Sequence, residues 1–348
     1  KKLLMNFFSR WKILILFGVW SLGSLLINQA MTGLNLVPWL YLLRFVTYLL
    51  FGLAIFKFIK TNGCSGKWLK LLFSILVGMV LGIGFFQYLF IPDLRFLASS
   101  GWDVHYFRLA GNMLDPNFTG IIVINLLITA IFICKTKCKK MLYFGIVAIL
   151  ALALTYSRSS YLSMAVIVMV GYWLSTLKLF TRSRVLGFLF LGLLVFLPFL
   201  PRPGGLGVEL TRTETISSRV GVNENILEQL DFHQLLIGRG LFTPSINTQV
   251  TDRVIHANFP DNLIVFVLSS TGVVGLWLIS IFLYQEMKIA LFNKRVLTLL
   301  LIAGTVTHSM LNLTVLEPIN LLVLMVCLNM QTAKEHKPNS AKQPLLKK

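Results

Sequence analysis

Ten stretches of this chain are apolar and nearly free of charge, each over ~16–24 residues, and they restrict the possible folds more than any other feature. They run over about 13–30, 37–57, 69–91, 117–134, 141–157, 159–177, 185–200, 262–284, 296–311 and 314–331. At a rise of 1.5 Å per residue, a helix of that length crosses the ~30 Å of hydrocarbon in a bilayer. Only 13% of the residues are charged and 56% are hydrophobic, about half the ~25% charge of a soluble domain. The pattern predicts an all-α polytopic integral membrane protein with about ten transmembrane helices. It excludes a soluble enzyme, a secreted disulfide scaffold and a disordered chain.

The gaps between the runs carry the charge. With a cytoplasmic N-terminus, 23 of the 32 Lys and Arg fall in the gaps on the cytoplasmic side and eight fall outside. The excess of positive charge inside predicts that both termini are cytoplasmic. It also accounts for the net charge of +19 without nucleic acid, which is not expected as a partner. All eight outside bases are arginines: Arg95, Arg108, Arg158, Arg202, Arg212, Arg219, Arg239 and Arg253. Eleven of the 13 acids fall outside as well. Insertion bias explains why bases avoid the outside, but not why the remaining ones are all Arg. A planar guanidinium fork suits phosphate or carboxylate.

The N-terminus is charged and then apolar, like a signal peptide, but no small-residue cleavage site followed by a soluble domain comes after it. Residues 13–30 are therefore read as the first span. Cys64, Cys134, Cys138 and Cys327 map to the cytoplasmic side, where disulfides do not persist. Residues 1–331 read as one membrane domain and 332–348 as a polar cytoplasmic tail.

Two outside loops are longer than a connector requires. Residues 92–116 hold Trp102, His105, Tyr106, Arg108 and the turn Asp115-Pro116-Asn117. The large extracytoplasmic loop, about 201–261, opens with Pro and Gly. It continues with Ser217-Ser218-Arg219, where a Ser is expected to cap a short helix through about Asp231, with Val220, Leu227 and Leu230 on its apolar side. It closes with Gly238-Arg239-Gly240 and the stretch from Arg253 through His256 to Asp261-Asn262. A loop of this length among short connectors is usually functional.

The chain lacks a phosphate-cradling Gly-rich loop, a His-Glu-x-x-His zinc motif, a Gly-x-Ser-x-Gly elbow and an Asp-x-Asp pair. No cofactor and no metal are expected. The polar groups near the spans gather on the outer side instead. Arg44 lies within the second span, where a charge faces a partner, a cavity or the headgroups. Arg158 stands among hydroxyls in Thr155-Tyr156-Ser157-Arg158-Ser159-Ser160. His308 falls in the outer half of the ninth span, and Glu317-Pro318 near the start of the tenth. This arrangement suits an anionic headgroup carried by a lipid. A diphosphate leaves as a stable dianion, so the reaction needs arginines to hold it and a base for the acceptor hydroxyl. The candidate bases are His256, Asp261, His308 and Glu317.

Four stretches together resemble the O-antigen ligase / Wzy polysaccharide polymerase superfamily. They are Leu114-Asp115-Pro116-Asn117, Ser157-Arg158-Ser159, Ser218-Arg219 followed by Ile237-Gly238-Arg239-Gly240, and Asp261-Asn262 followed by nine residues and Gly272-Val273-Val274-Gly275. The resemblance runs from about 75 to 330 and lies in the order of the motifs, each of which is weak alone. It implies a metal-independent membrane glycosyltransferase of the GT-C type whose donor is a polyprenyl-diphosphate-linked oligosaccharide. Arg158 and Arg219 match the family's diphosphate-holding arginines. Asp261 stands where ligases have a His as the proposed base. That departure leaves Asp261, or His256 five residues earlier, as the base. Gly272 and Gly275 fit close helix packing.

The expected activity is that of a polysaccharide polymerase in a bacterial cytoplasmic membrane, with a flippase and a chain-length regulator as possible partner proteins. It would move a growing glycan from undecaprenyl diphosphate to a lipid-linked repeat unit. The alternatives are ligase-type transfer to a lipid, protein or wall acceptor, and a glycolipid transporter. His256 and Asp261 are the expected catalytic residues, His256 as the base and Asp261 to position the acceptor or orient an Arg. Arg158, Arg219, Arg239, Arg253 and Arg44 are the expected diphosphate ligands, and Asn262, His308 and Glu317 are possible additions.

Overall fold

The computed structural model describes residues 2–61, 66–100, 102–133, 139–203, 206–211, 214–243 and 259–335. Among them it is helical and has no strand, apart from one isolated bridge between Asp93 and Tyr106. Over its described residues each of the ten apolar runs lies mostly on helix. The helices are α1 (Lys2–Thr32), α2 (Leu36–Thr61), α3 (Gly66–Val77), continued through a π turn (Gly78–Gly82) into α4 (Ile83–Phe90), α5 (Pro116–Ile133), α6 (Lys139–Leu154), α7 (Arg158–Thr176), α8 (Ser183–Phe196), α9 (Glu214–Glu228), α10 (Phe232–Ile237), α11 (Leu263–Phe292), α12 (Val296–Ser309) and α13 (Pro318–Glu335).

Four of the described segments are long and apolar enough to cross a membrane: Lys12–Thr32, Leu71–Phe90, Arg158–Thr176 and Leu263–Phe292. Five more apolar helices are shorter: Leu36–Tyr48, Pro116–Phe132, Met141–Leu154, Ser183–Phe199 and Val296–Ser309. Large apolar side chains such as Tyr143, Met169, Phe188, Leu191, Trp277 and Phe292 face outward. Such a surface is compatible with a membrane protein.

The core is centred on α5. Ile121, Ile122, Ile124, Leu127 and Ile128 are all buried, on every side of the helix, as expected of a helix that is apolar all round. It packs against α6, α12, α13 and α7, while α7 and α12 form the most extensive helix pair. Gly120 makes the α5–α7 approach possible: a Cβ there would lie 2.2 Å from Ser160 Oγ.

Local sequence sets the helix starts at one end of the bundle. Asp115 accepts from the Asn117 and Phe118 amides ahead of Pro116 in the first turn of α5. Ser157 caps α7 through the Ser160 amide, and Asn262 caps α11 through the Ile264 and Val265 amides.

Segment 201–261 departs from the expected pattern. It carries two helices, α9 and α10, over its described part. α9 begins at Glu214, so Ser217 and Ser218 lie inside the helix and do not cap it. The cap in this region is Asp231, which accepts from the Gln234 amide at the start of α10. Among the α9 side chains that are described, the buried apolar one is Ile226, while Val220 and Leu227 are exposed. The expected pattern failed here because the segment's polar residues obscure the period.

α11 is broken at Gly272 (φ 66°, ψ −173°). The carbonyls freed by the break are taken up locally. The Arg239 amide donates to Ser269 O at 2.8 Å, the Gly240 amide to Ser270 O at 3.0 Å, and Trp20 Nε1 to Thr271 O at 2.8 Å. Gly238-Arg239-Gly240 is thus seated against the break. A Cβ on Gly272 would lie 2.1 Å from Leu236 O. The close packing expected of this glycine is present, and a helix break comes with it.

Candidate functional site

The N-terminal ends of α5, α7 and α11 and the C-terminal end of α12 meet at one end of the bundle, and α9 lies across them. A continuous polar cluster fills the junction. Arg219, from α9, forms a salt bridge to Asp261 (Nε to Oδ2, 2.9 Å). Its Nη1 donates to Leu311 O at 2.7 Å and its Nη2 to Asn312 Oδ1 at 2.8 Å. Asn312, just past the end of α12 and buried, donates in turn to Ser159 Oγ at 2.8 Å. Nε2 of the fully buried His308 lies 3.1 Å from both Ser159 Oγ and Ser160 Oγ, and its Nδ1 lies 3.2 Å from Thr314 Oγ1. Ser157 Oγ closes the cluster by donating to Asn117 Oδ1 at 2.9 Å.

Arg158, the first residue of α7, is half-buried and reaches Leu210 O through a long 3.5 Å contact. It lies close enough to Arg219 for the two like charges to repel each other. Asp261 feels four influences. Burial raises its carboxyl above the ordinary range, Arg219 pulls it back down, and the charges of Asp115 and Asp103 raise it again, so that the net direction is upward. Burial also pushes the Asp115 carboxyl up, against the Asn117 amide and the charge of Arg108.

The loop 92–116 stands beside this cluster. Leu94 N donates to His105 O at 2.9 Å and Phe107 N to Pro92 O at 2.9 Å. Gln87 Oε1 accepts from the Ala110 and Gly111 amides at 2.9 and 3.1 Å. The buried Arg108 is held against Thr155 O at 2.9 Å. One potential ligand atom each from Asp103, His105 and Asp115 lies within 4.8 Å of the others. Two carboxylates and an imidazole are a donor set that a divalent cation uses. Asp103 is exposed, and exposed carboxylates commonly gather without an ion.

The expected site residues separate into groups. Arg158, Arg219, Asp261, Asn262 and His308 come together. Asn262 sits at the edge, with its Nδ2 donating to Met310 O at 3.1 Å. Arg239 does not join them. It is held by Gln234 Oε1 at 2.9 Å and Gln229 O at 2.7 Å, and its backbone serves the break in α11. Arg44 is exposed on α2, where its Nε donates to Tyr48 Oη at 3.0 Å and its guanidinium lies 5.8 Å from the centres of the Tyr41 and Tyr48 rings. Its charge reaches Glu317, which accepts from the Asn320 amide at 2.6 Å at the start of α13. Neither Arg239 nor Arg44 shares the Arg158–Arg219 cluster. His256 and Arg253 lie in 244–258, outside the described residues, as do Cys64, Cys134 and Cys138.

Sequence reasoning missed Asn312, the pairing of Ser159 and Ser160 with His308, and the grouping of Asp103, His105 and Asp115. A signal for the first was available. Thr307, His308, Ser309, Asn312 and Thr314 interrupt an apolar tract within eight residues, and only His308 was singled out. The others depend on tertiary packing.

No family model, curated protein or solved structure matches the chain.

Proposed function

We propose that this chain is a polysaccharide polymerase of the bacterial cytoplasmic membrane. It has ten spans with both ends cytoplasmic, and its site lies at the outer face. The reading draws its main support from one observation. Two arginines from separate helices converge on one polar cluster: Arg219 bonds to Asn312, which bonds to Ser159 next to Arg158, and Arg219 also pairs with the half-buried carboxylate of Asp261. Two adjacent guanidiniums are stabilised by a shared dianion. The ten-span reading also puts Asn117, Arg158, Asp261 and the end of α12 on one face, in keeping with their meeting at one end of the bundle.

In this reading Arg158 and Arg219 hold the diphosphate of the donor. The acceptor hydroxyl oxygen attacks the anomeric carbon, and the bond from that carbon to the diphosphate oxygen breaks. Undecaprenyl diphosphate leaves with the electron pair. The hydroxyl proton passes to a base, which is Asp261 or His256. The guanidiniums offset the charge that develops on the leaving oxygen. His308 is enclosed by Ser159, Ser160 and Thr314, and it supports Asn312 and Arg219 without reaching substrate.

Transporter folds use broken helices whose open ends contact cargo. In α11 the carbonyls at the break are occupied by Arg239, Gly240 and Trp20, which favours an enzyme over a carrier. The testing experiment is in vitro transfer with purified protein and a lipid-linked repeat unit. His256→Ala and Asp261→Asn are compared, and loss of the base costs about 10²–10⁴-fold in rate. Full rate in both variants would remove the base assignment.

A further inference from the structure

Arg219 is held by one charged partner and two neutral ones. The neutral partners, Leu311 O and Asn312 Oδ1, lie just past the end of α12, and Asn312 is itself fixed by Ser159. The charged partner, Asp261, belongs to the start of α11. Its backbone is anchored by the neighbouring Asn262, which caps the helix and also bonds to Met310 O. The Asp261 side chain can therefore turn without disturbing its helix. The side chains of Arg219 and Asp261 are 37% and 35% exposed, so an anion arriving from solvent reaches both.

A diphosphate carries more charge than one carboxylate, and Arg158 stands ready to share it. Arg219 would exchange its carboxylate for phosphate while Leu311 and Asn312 keep the guanidinium in place. The released carboxylate then lies near Asp103 and Asp115, whose charges already act on it.

We infer that Asp261 is a built-in counter-ion of Arg219 which the donor's diphosphate displaces, and that the displaced carboxylate is then the group that accepts the acceptor's proton. This rests on the diphosphate reading above. It adds an order of events: the base is tied up until the donor is seated. Displacement removes the pull of Arg219 and leaves burial and two like charges acting on Asp261, all of which favour proton uptake.

The test uses the purified full chain in nanodiscs, with inorganic pyrophosphate as the probe. Asp261→Asn and Asp261→Ser should both tighten pyrophosphate binding, by about two- to fivefold, the worth of a half-exposed ion pair. Asp261→Glu, which keeps the competing charge, should leave affinity unchanged. Two variants of different size keep the result from resting on the folding of one. Unchanged or weakened binding in both Asn and Ser variants would overturn the counter-ion role. Tightened binding combined with undiminished transfer would overturn the base role. If the wild type does not bind pyrophosphate, or if Arg158→Lys and Arg219→Lys bind it as the wild type does, the diphosphate reading itself falls.

Discussion

Asn312 Oδ1 accepts from Arg219 Nη2 at 2.8 Å while its own amide donates to Ser159 Oγ, also at 2.8 Å. One buried amide thus joins the helix that carries Arg219 to the turn that carries Arg158. Truncation removes both bonds and leaves the Arg219 guanidinium held only by Asp261 and Leu311 O, with its Nη2 end unfixed. Asn312→Ala should cost about 10²-fold in transfer rate, the usual effect of a misplacement near 1 Å, while the protein still inserts. Pyrophosphate binding should weaken in parallel. Wild-type rate in this variant would remove Asn312 from the positioning role.

Gly272 gives a prediction about stability. Its φ of 66° with ψ of −173° lies in a region that only glycine occupies readily, and a Cβ would meet the Leu236 carbonyl at 2.1 Å. Gly272→Ala should destabilise the fold by at least about 2 kcal/mol, read as a lower melting temperature of the purified protein. Gly192 is the control: it lies inside α8 and nothing lies within 4 Å of a Cβ placed there, so Gly192→Ala should melt at or slightly above the wild type.

A third prediction concerns pH. A base must be deprotonated to act, and Asp261 has its carboxyl raised above the ordinary range, by burial first. Activity should therefore fall as the pH drops through that raised value, at a higher pH than an ordinary carboxylate gives. Stability moves in the opposite sense. A carboxyl raised in the folded state binds its proton more tightly there than in the unfolded chain. Asp261 and Asp115 therefore stabilise most below the ordinary carboxylate value, and that contribution is lost as pH rises to the raised value. A rate profile measured with saturating donor checks the first part. An acidic limb unchanged in Asp261→Asn would assign it to another group.

Much of the helical framework was legible in the sequence, because apolar runs of this length have few other solutions. The helix starts at Pro116, Arg158 and Leu263 fall within a residue of the expected span starts, and the side chains that cap them, Asp115, Ser157 and Asn262, act only over three residues. Arg158, Arg219 and Asp261 were found through motifs. The bond network around them was not, because it joins residues such as Ser159 and Asn312 that are far apart in sequence. The seating of Gly238-Arg239-Gly240 on α11 was hidden for the same reason. Arg239 and Arg44 were grouped with the diphosphate ligands on charge and position. Packing directs Arg239 to the turn between α9 and α10, and Arg44 to the aromatic rings of its own helix.

The central claim is that Arg158 and Arg219 act as a pair of planar forks on a diphosphate, and charge alone cannot replace that geometry. The most direct measurement is the chain length of glycan made by purified protein from an undecaprenyl-diphosphate-linked repeat unit. It is compared among the wild type, Arg158→Lys and Arg219→Lys. The account predicts that each Lys variant inserts normally yet loses most of the polymer. Normal chain length in both variants would contradict it.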